Sequence, residues 1–134
     1  AWLVNVARTF IFSTALPPAA AGAALAALDV LKTEPGLGAA LLDRSALFRE
    51  RLKKAGLDTG PSTTQIVPVI TGSNQGALDL AAALRARGIL APAIRPPTVP
   101  EGAARVRLSI TLAHSPAELA RAAEIIIECA GRSL

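Results

Sequence analysis

Eight consecutive residues, Arg95-Pro96-Pro97-Thr98-Val99-Pro100-Glu101-Gly102, hold one guanidinium and one hydroxyl on backbone with little freedom to move. Each proline fixes its own φ, and the residue before a proline is pushed toward extended or polyproline geometry, so Arg95, Pro96 and Val99 are restricted as well. A planar guanidinium on such a platform can grip a carboxylate through two parallel hydrogen bonds, and the preset backbone lowers the ordering cost of that grip. The segment therefore predicts a carboxylate clamp at Arg95, the alternative being a surface arginine in a proline-rich turn.

Other residues that could do chemistry are few. His114 is the only histidine, placed where a strand gives way to a helix, and a structural hydrogen bond is the expected role. Cys129 is the only cysteine; it follows Ile125, Ile126 and Ile127 and reads as packing. One histidine and one cysteine cannot assemble a metal site. Glu118, Glu124 and Glu128 recur at helical spacing and read as the exposed side of the last helix, not as an acid–base pair. The chain has no glycine-rich phosphate loop and no Gly-x-Ser-x-Gly elbow, so its own residues suggest binding and no catalytic residue is assigned.

A chain of 134 residues suits one domain with a single core. Its aromatic fraction is only 3%, so packing must come from Leu, Ile, Val and the many alanines of Ala-rich helices. Pro17, Pro18, Asp29 and Lys32 interrupt the most apolar region, and neither a membrane span nor a signal peptide is expected; the default is a soluble cytoplasmic protein. The net charge of +4 raises the question of nucleic acid, but Arg49, Arg51, Lys53 and Lys54 form a basic helical stretch without interleaved aromatics, which reads as a solvated helix face. Methionine is absent, and Trp2, Leu3, Val6 and Phe10 show helical spacing with no cap before them, as if an element had been cut open.

These residues must be positioned by a small set of elements. Residues 2 to 8 read as a helix tail and Thr9 to Thr14 as a short extended segment. Pro17 and Pro18 open a helix over Ala19 to Leu31 whose Leu25, Leu28 and Leu31, with small residues between, suit a close helix contact such as a dimer interface. A second helix from Leu37 to Ala55 places Leu41, Leu42, Phe48 and Leu52 on one side and stops at Gly56. Gln65 to Thr71 reads as a buried strand with Pro68 on a sheet edge. Asn74 can cap a helix from Gln75 to Arg87, Gly88 stops it, and Ile89 to Ile94 is a strand leading into the clamp. Arg105 to Thr111 alternates, with Val106, Leu108 and Ile110 on one face, as a strand covered on one side only. Ser115-Pro116-Ala117-Glu118 is a capping box opening a last helix to about Ala130. The order predicts an α+β fold: a mostly antiparallel sheet of three strands with helices on one face.

Three phrases carry a resemblance: Phe10-Ile11-Phe12-Ser13-Thr14-Ala15-Leu16-Pro17-Pro18, Ala93-Ile94-Arg95-Pro96-Pro97-Thr98-Val99-Pro100, and Arg105-Val106-Arg107-Leu108-Ser109-Ile110-Thr111-Leu112-Ala113-His114. Together they resemble the α-oxoamine synthases, across essentially the whole chain and in order. The resemblance implies a homodimeric fold-type I enzyme dependent on pyridoxal 5'-phosphate, with this chain as its carboxy-terminal small domain plus the preceding interface segment, residues 1–134, and the large cofactor-binding domain upstream. It is strongest to the biotin-pathway branch, which joins L-alanine to a pimeloyl thioester of coenzyme A or a carrier protein with loss of CO2. It implies that Arg95 holds the amino-acid carboxylate and Thr98 contacts substrate in the same loop. Ser13 and Thr14 match hydroxyl residues that reach the cofactor phosphate of the partner subunit, although either could also be a helix cap ahead of Pro17. The lysine that binds the cofactor in such enzymes has no match, since Lys32, Lys53 and Lys54 are the only lysines; alone, the chain is expected to be inactive. Glycine-using relatives, 5-aminolevulinate synthase and 2-amino-3-ketobutyrate ligase, are the nearest alternatives. A free-standing module that binds small carboxylates or dimerises is another.

Overall fold

A computed structural model of the chain describes residues 2–11 and 14–133, which fall into two compact units, residues 1–35 and 36–134. The first unit is helical: α1 (Trp2–Val6), α2 (Arg8–Ile11) and α3 (Pro18–Thr33). Thr9 to Ile11 are helical, which corrects the extended segment expected there. All strands among the described residues belong to the second unit, so an extended run here would have no ladder to satisfy its backbone groups. Pro17 precedes α3, and its carbonyl accepts from the amides of Ala20 and Ala21 at 2.9 and 3.2 Å. No residue of α3 is buried within the chain, and Leu25, Leu28 and Leu31 all stand exposed.

In the second unit α4 (Leu37–Lys54), β1 (Ile66–Gly72), α5 (Asn74–Ala86), β2 (Ala93–Ile94), β3 (Ala104–Ser109) and α6 (Pro116–Ser133) follow in order. The strands form one antiparallel sheet in the order β1-β3-β2, with Val67 opposite Leu108, Val69 opposite Val106 and Ile94 opposite Arg105. Because strand side chains alternate between faces, Val67, Val69, Val106 and Leu108 share one buried face. α5 lies on β1 and β3 through Leu80 and Leu84, and α6 packs against α4 and α5, closing a core completed by Phe48, Leu52 and Ile126. Cys129 is part of that core, as its place in the isoleucine run implied. Pro68 does lie on an edge strand, where its missing amide removes nothing from the ladder.

Three local details differ from expectation. Ser73, not Asn74, caps α5, its Oγ accepting from the Gly76 amide at 3.0 Å. The strand expected from Ile89 shrinks to Ala93–Ile94 because the Ile89 amide is spent on the Leu84 carbonyl (2.9 Å) in the turn that ends α5 around Gly88, whose φ is +80°. Leu42 is exposed, whereas Leu41, Phe48 and Leu52 face the core as their spacing required. The capping box forms in full: the Ser115 amide donates to Glu118 Oε2 at 2.7 Å and the Glu118 amide to Ser115 Oγ at 3.2 Å.

Candidate functional site

Two prolines in succession leave no amide hydrogen between Arg95 and Thr98, so the first available donor is Thr98 itself. Its N–H donates back to the Arg95 carbonyl at 3.0 Å, and a second turn follows in which the Ala103 amide donates to Pro100 at 3.1 Å. Gly102 sits in this second turn at φ +75°, a backbone state that a side chain would disfavour. The stretch is thus a pair of turns joining β2 to β3, with a cis bond between Pro96 and Pro97.

This hairpin loop borders a groove of about 350 Å³ on the sheet face opposite the helices. Ile94 and Val99, which bracket the Arg95–Thr98 turn, form part of its wall; Ile66 and Pro68 of β1 face it, and Arg105 and Arg107 of β3 line it. Arg95 and Thr98 are both exposed, and the Arg95 side chain has no hydrogen-bond or ion-pair partner among the described residues. The same holds for the guanidinium of Arg107, whereas Arg105 Nε donates to the Ala103 carbonyl at 2.8 Å and steadies the loop from beneath. Neither Arg95 nor Thr98 is in the groove's lining, so an anion entering it would meet Arg107, with unused donors, and Arg105, while Arg95 stands on the loop at its border. The sequence alone gives Arg107 no role beyond the polar face of an alternating strand; what it lacks is that β2 pairs beside β3 and brings Ile94 and Val99 to the border of that face.

Ser62 and Thr64 close the groove on its other side. Their loop is held from below by Arg49, which is buried and donates through Nη1 to the Thr64 carbonyl. That contact corrects the reading of Arg49 as part of a solvated basic face; only Arg51, Lys53 and Lys54 are exposed. Elsewhere His114 Nδ1 accepts from the Thr111 amide at 3.2 Å, the structural role expected of it. Glu118, Glu124 and Glu128 are exposed, and Glu128 pairs with Arg87 at 3.1 Å. The Glu118 carboxyl is held below its ordinary value chiefly by the hydrogen bond from the Ser115 backbone, with the Ser115 hydroxyl adding to it. Thr14 is exposed in the first unit, and Ser13 lies outside the described residues.

The family model for class I and II aminotransferases matches residues 1–126. The chain belongs to that family. Among relatives of this aminotransferase-family chain, a Citrifermentans bemidjiense protein called 8-amino-7-oxononanoate synthase is 46% identical over 135 aligned positions, covering 99% of this chain and 34% of that protein. One of the same name from Stutzerimonas stutzeri is 46% identical over 127 residues, 95% of this chain and 32% of its own. The chain thus spans about a third of the length of the curated relatives it matches. Among solved structures, an 8-amino-7-oxononanoate synthase from Francisella tularensis is 26% identical with a TM-score of 0.76, covering 95% of this chain and 37% of its own. A serine palmitoyltransferase from Sphingomonas wittichii shares the fold, with a TM-score of 0.88 at 23% identity over 98% of this chain and 33% of that one. The α+β architecture read from the sequence is thus the one these enzymes use.

Proposed function

We propose that this chain is the carboxy-terminal third of an 8-amino-7-oxononanoate synthase, a pyridoxal 5'-phosphate enzyme that joins L-alanine to a pimeloyl thioester and releases CO2 in biotin synthesis. The observation that carries the reading is the unpaired Arg95 guanidinium on a braced turn beside a groove lined by apolar residues and two arginines, in a chain 46% identical to relatives of that name. Residues 1–134 form the small domain and the interface segment before it; a large domain upstream completes the enzyme, which acts as a homodimer in the cytoplasm. Arg95 grips the alanine carboxylate, fixing the amino acid with its Cα–H and carboxylate bonds in a set orientation. Thr98, in the same turn, presents a hydroxyl to the substrate.

The chain's own donors fit only one end of the cofactor. Thr14 has an exposed hydroxyl able to donate to a phosphate oxygen, and Ser13 is its sequence neighbour in that role across the dimer. Lys32 is paired with Asp29 at 3.1 Å, and Lys53 and Lys54 lie on the exposed side of α4, so the lysine that anchors the cofactor comes from the upstream domain. When bound, the cofactor supplies the electron sink that makes bond cleavage at the amino-acid Cα feasible. This chain's part is to bind, orient and release the two substrates.

The full-length protein, purified with pyridoxal phosphate and given L-alanine and pimeloyl-CoA, should release CO2 and yield 8-amino-7-oxononanoate by mass spectrometry. Product with glycine but none with alanine would assign the chain to a glycine-using relative, and no condensation with either would overturn the reading.

A further inference from the structure

The loop that carries Arg95 stands on two feet, and Arg105 takes part in both. At the upstream foot Ile94 pairs with Arg105, and the Arg107 amide donates to the Pro92 carbonyl at 3.0 Å. β2 is only two residues long, so little ladder restrains the loop there. At the downstream foot the fastening comes from side chains. Alternation along β3 puts Arg105 on the face away from the helices, where its half-buried side chain bends back and donates through Nε to the Ala103 carbonyl at 2.8 Å. Thr71 reaches the next carbonyl. It stands at an irregularity in the β1–β3 register, between Ile70 and Gly72, and its Oγ1 lies 3.1 Å from the carbonyls of both Ala104 and Ser73, joining the loop to the start of α5.

We propose that Arg105 is a positioning residue for the amino-acid site: its Nε–H, and not its charge, holds the foot of the loop and so keeps Arg95 aimed. The inference rests on the reading above that Arg95 grips the amino-acid carboxylate. Arg105 lines the groove, so direct contact with an anion is the rival role, and two observations favour the brace. Its Nε is already committed to Ala103, whereas the neighbouring Arg107 guanidinium is exposed and unpaired. Thr71, which is outside the groove's lining, secures the adjoining carbonyl, so side chains from two strands converge on consecutive carbonyls of one foot, a pattern that a groove ligand does not need. The consequence for binding is large, because misplacing a positioned group by about 1 Å can cost about 100-fold.

Glutamine and methionine match arginine in length as far as Nε: glutamine places an uncharged N–H donor there, methionine a methyl group. In the full-length enzyme Arg105→Met should raise the KM for L-alanine about tenfold or more, with kcat and the KM for pimeloyl-CoA within about twofold of wild type, and Arg105→Gln should recover most of the loss. Thr71→Val keeps its shape, loses the hydroxyl and touches nothing in the groove; it should shift the same KM in the same direction by a smaller factor. Recovery by Arg105→Lys but not by Arg105→Gln would show that the charge acts on a bound anion. Alanine saturation unchanged in Arg105→Met would show that the loop needs no brace, and equal losses for alanine and pimeloyl-CoA would show general damage. Each of these overturns the proposal, and if Arg105→Met does not fold, an unchanged alanine KM in Thr71→Val does so. Hydrogen exchange of the peptide covering residues 95–104 needs no turnover. If it is faster in Arg105→Met and like wild type in Arg105→Gln while the enzyme condenses neither alanine nor glycine, the brace stands and the assigned reaction fails; exchange unchanged in Arg105→Met refutes the brace alone.

Discussion

Replacing Arg95 with alanine isolates the proposed clamp, because the Arg95 side chain has no structural partner among the described residues. The side chain is exposed and contacts no carboxylate or carbonyl of the described residues, so its loss leaves no buried group unpaired, and the folded chain should keep its stability to within about 0.5 kcal/mol. The cost should fall on the bound amino acid. One or two charge-assisted hydrogen bonds to a carboxylate shielded from water are worth about 2 to 5 kcal/mol, or roughly 30-fold to 4000-fold in affinity. Arg95→Lys keeps the charge but loses the planar fork, and should recover only part of that. The assay is steady-state turnover of the full-length enzyme at saturating pimeloyl donor with L-alanine varied, beside a thermal melt of each variant. Arg107→Ala is the comparator, since it lines the groove that the Arg95 loop borders and is equally unpaired. Alanine saturation unchanged in Arg95→Ala would refute the clamp, and a loss confined to Arg107→Ala would transfer the carboxylate to β3.

Arg49→Met, which keeps an apolar stem but cannot donate to the Thr64 carbonyl, should lower stability by about 1.5 to 3 kcal/mol and speed amide exchange in the Ser62–Ile66 loop; an unchanged urea midpoint would show that this bond is dispensable. Glu118 titrates below its ordinary value in the folded chain, so its contribution is complete above the unfolded carboxylate pKa and is lost as pH falls through the lowered one. Glu118→Gln should accordingly be less stable than wild type at neutral pH and equal to it under acid conditions, and parallel melting curves at all pH values would contradict this.

What the sequence made legible follows from how local each determinant is. The alternation from Arg105 to Thr111, the Ser115–Glu118 capping box and the apolar spacing of Phe48 and Leu52 each depend on residues within two turns or one strand, and all three reappear in the fold. The misreadings arise where a residue's role depends on a distant partner. Arg49 lies in a run of cations and looks solvated, yet the carbonyl it serves is 15 residues away in a loop that returns over α4. Thr9 to Ile11 carry strand-like residue types, but strand propensity acts only where a neighbouring strand supplies the ladder. The prolines around Arg95 restrict the chain locally as expected, while the turn they occupy is set by the antiparallel pairing of Ile94 with Arg105, which requires the chain to reverse between them.

That reversal gives the site its logic. The strand partner of Ile94 is Arg105, and the loop between them must turn within ten residues, so the Arg95 backbone is held at one end by a sheet register and at the other by the Thr98 amide. A clamp built this way depends on β3 remaining paired, and β3 is the central strand of the sheet, buried on its inner face through Val106 and Leu108. Arg95 thus follows an edge strand whose register is set by the central strand β3, which is how a surface arginine would serve as a positioned ligand if it takes the proposed carboxylate.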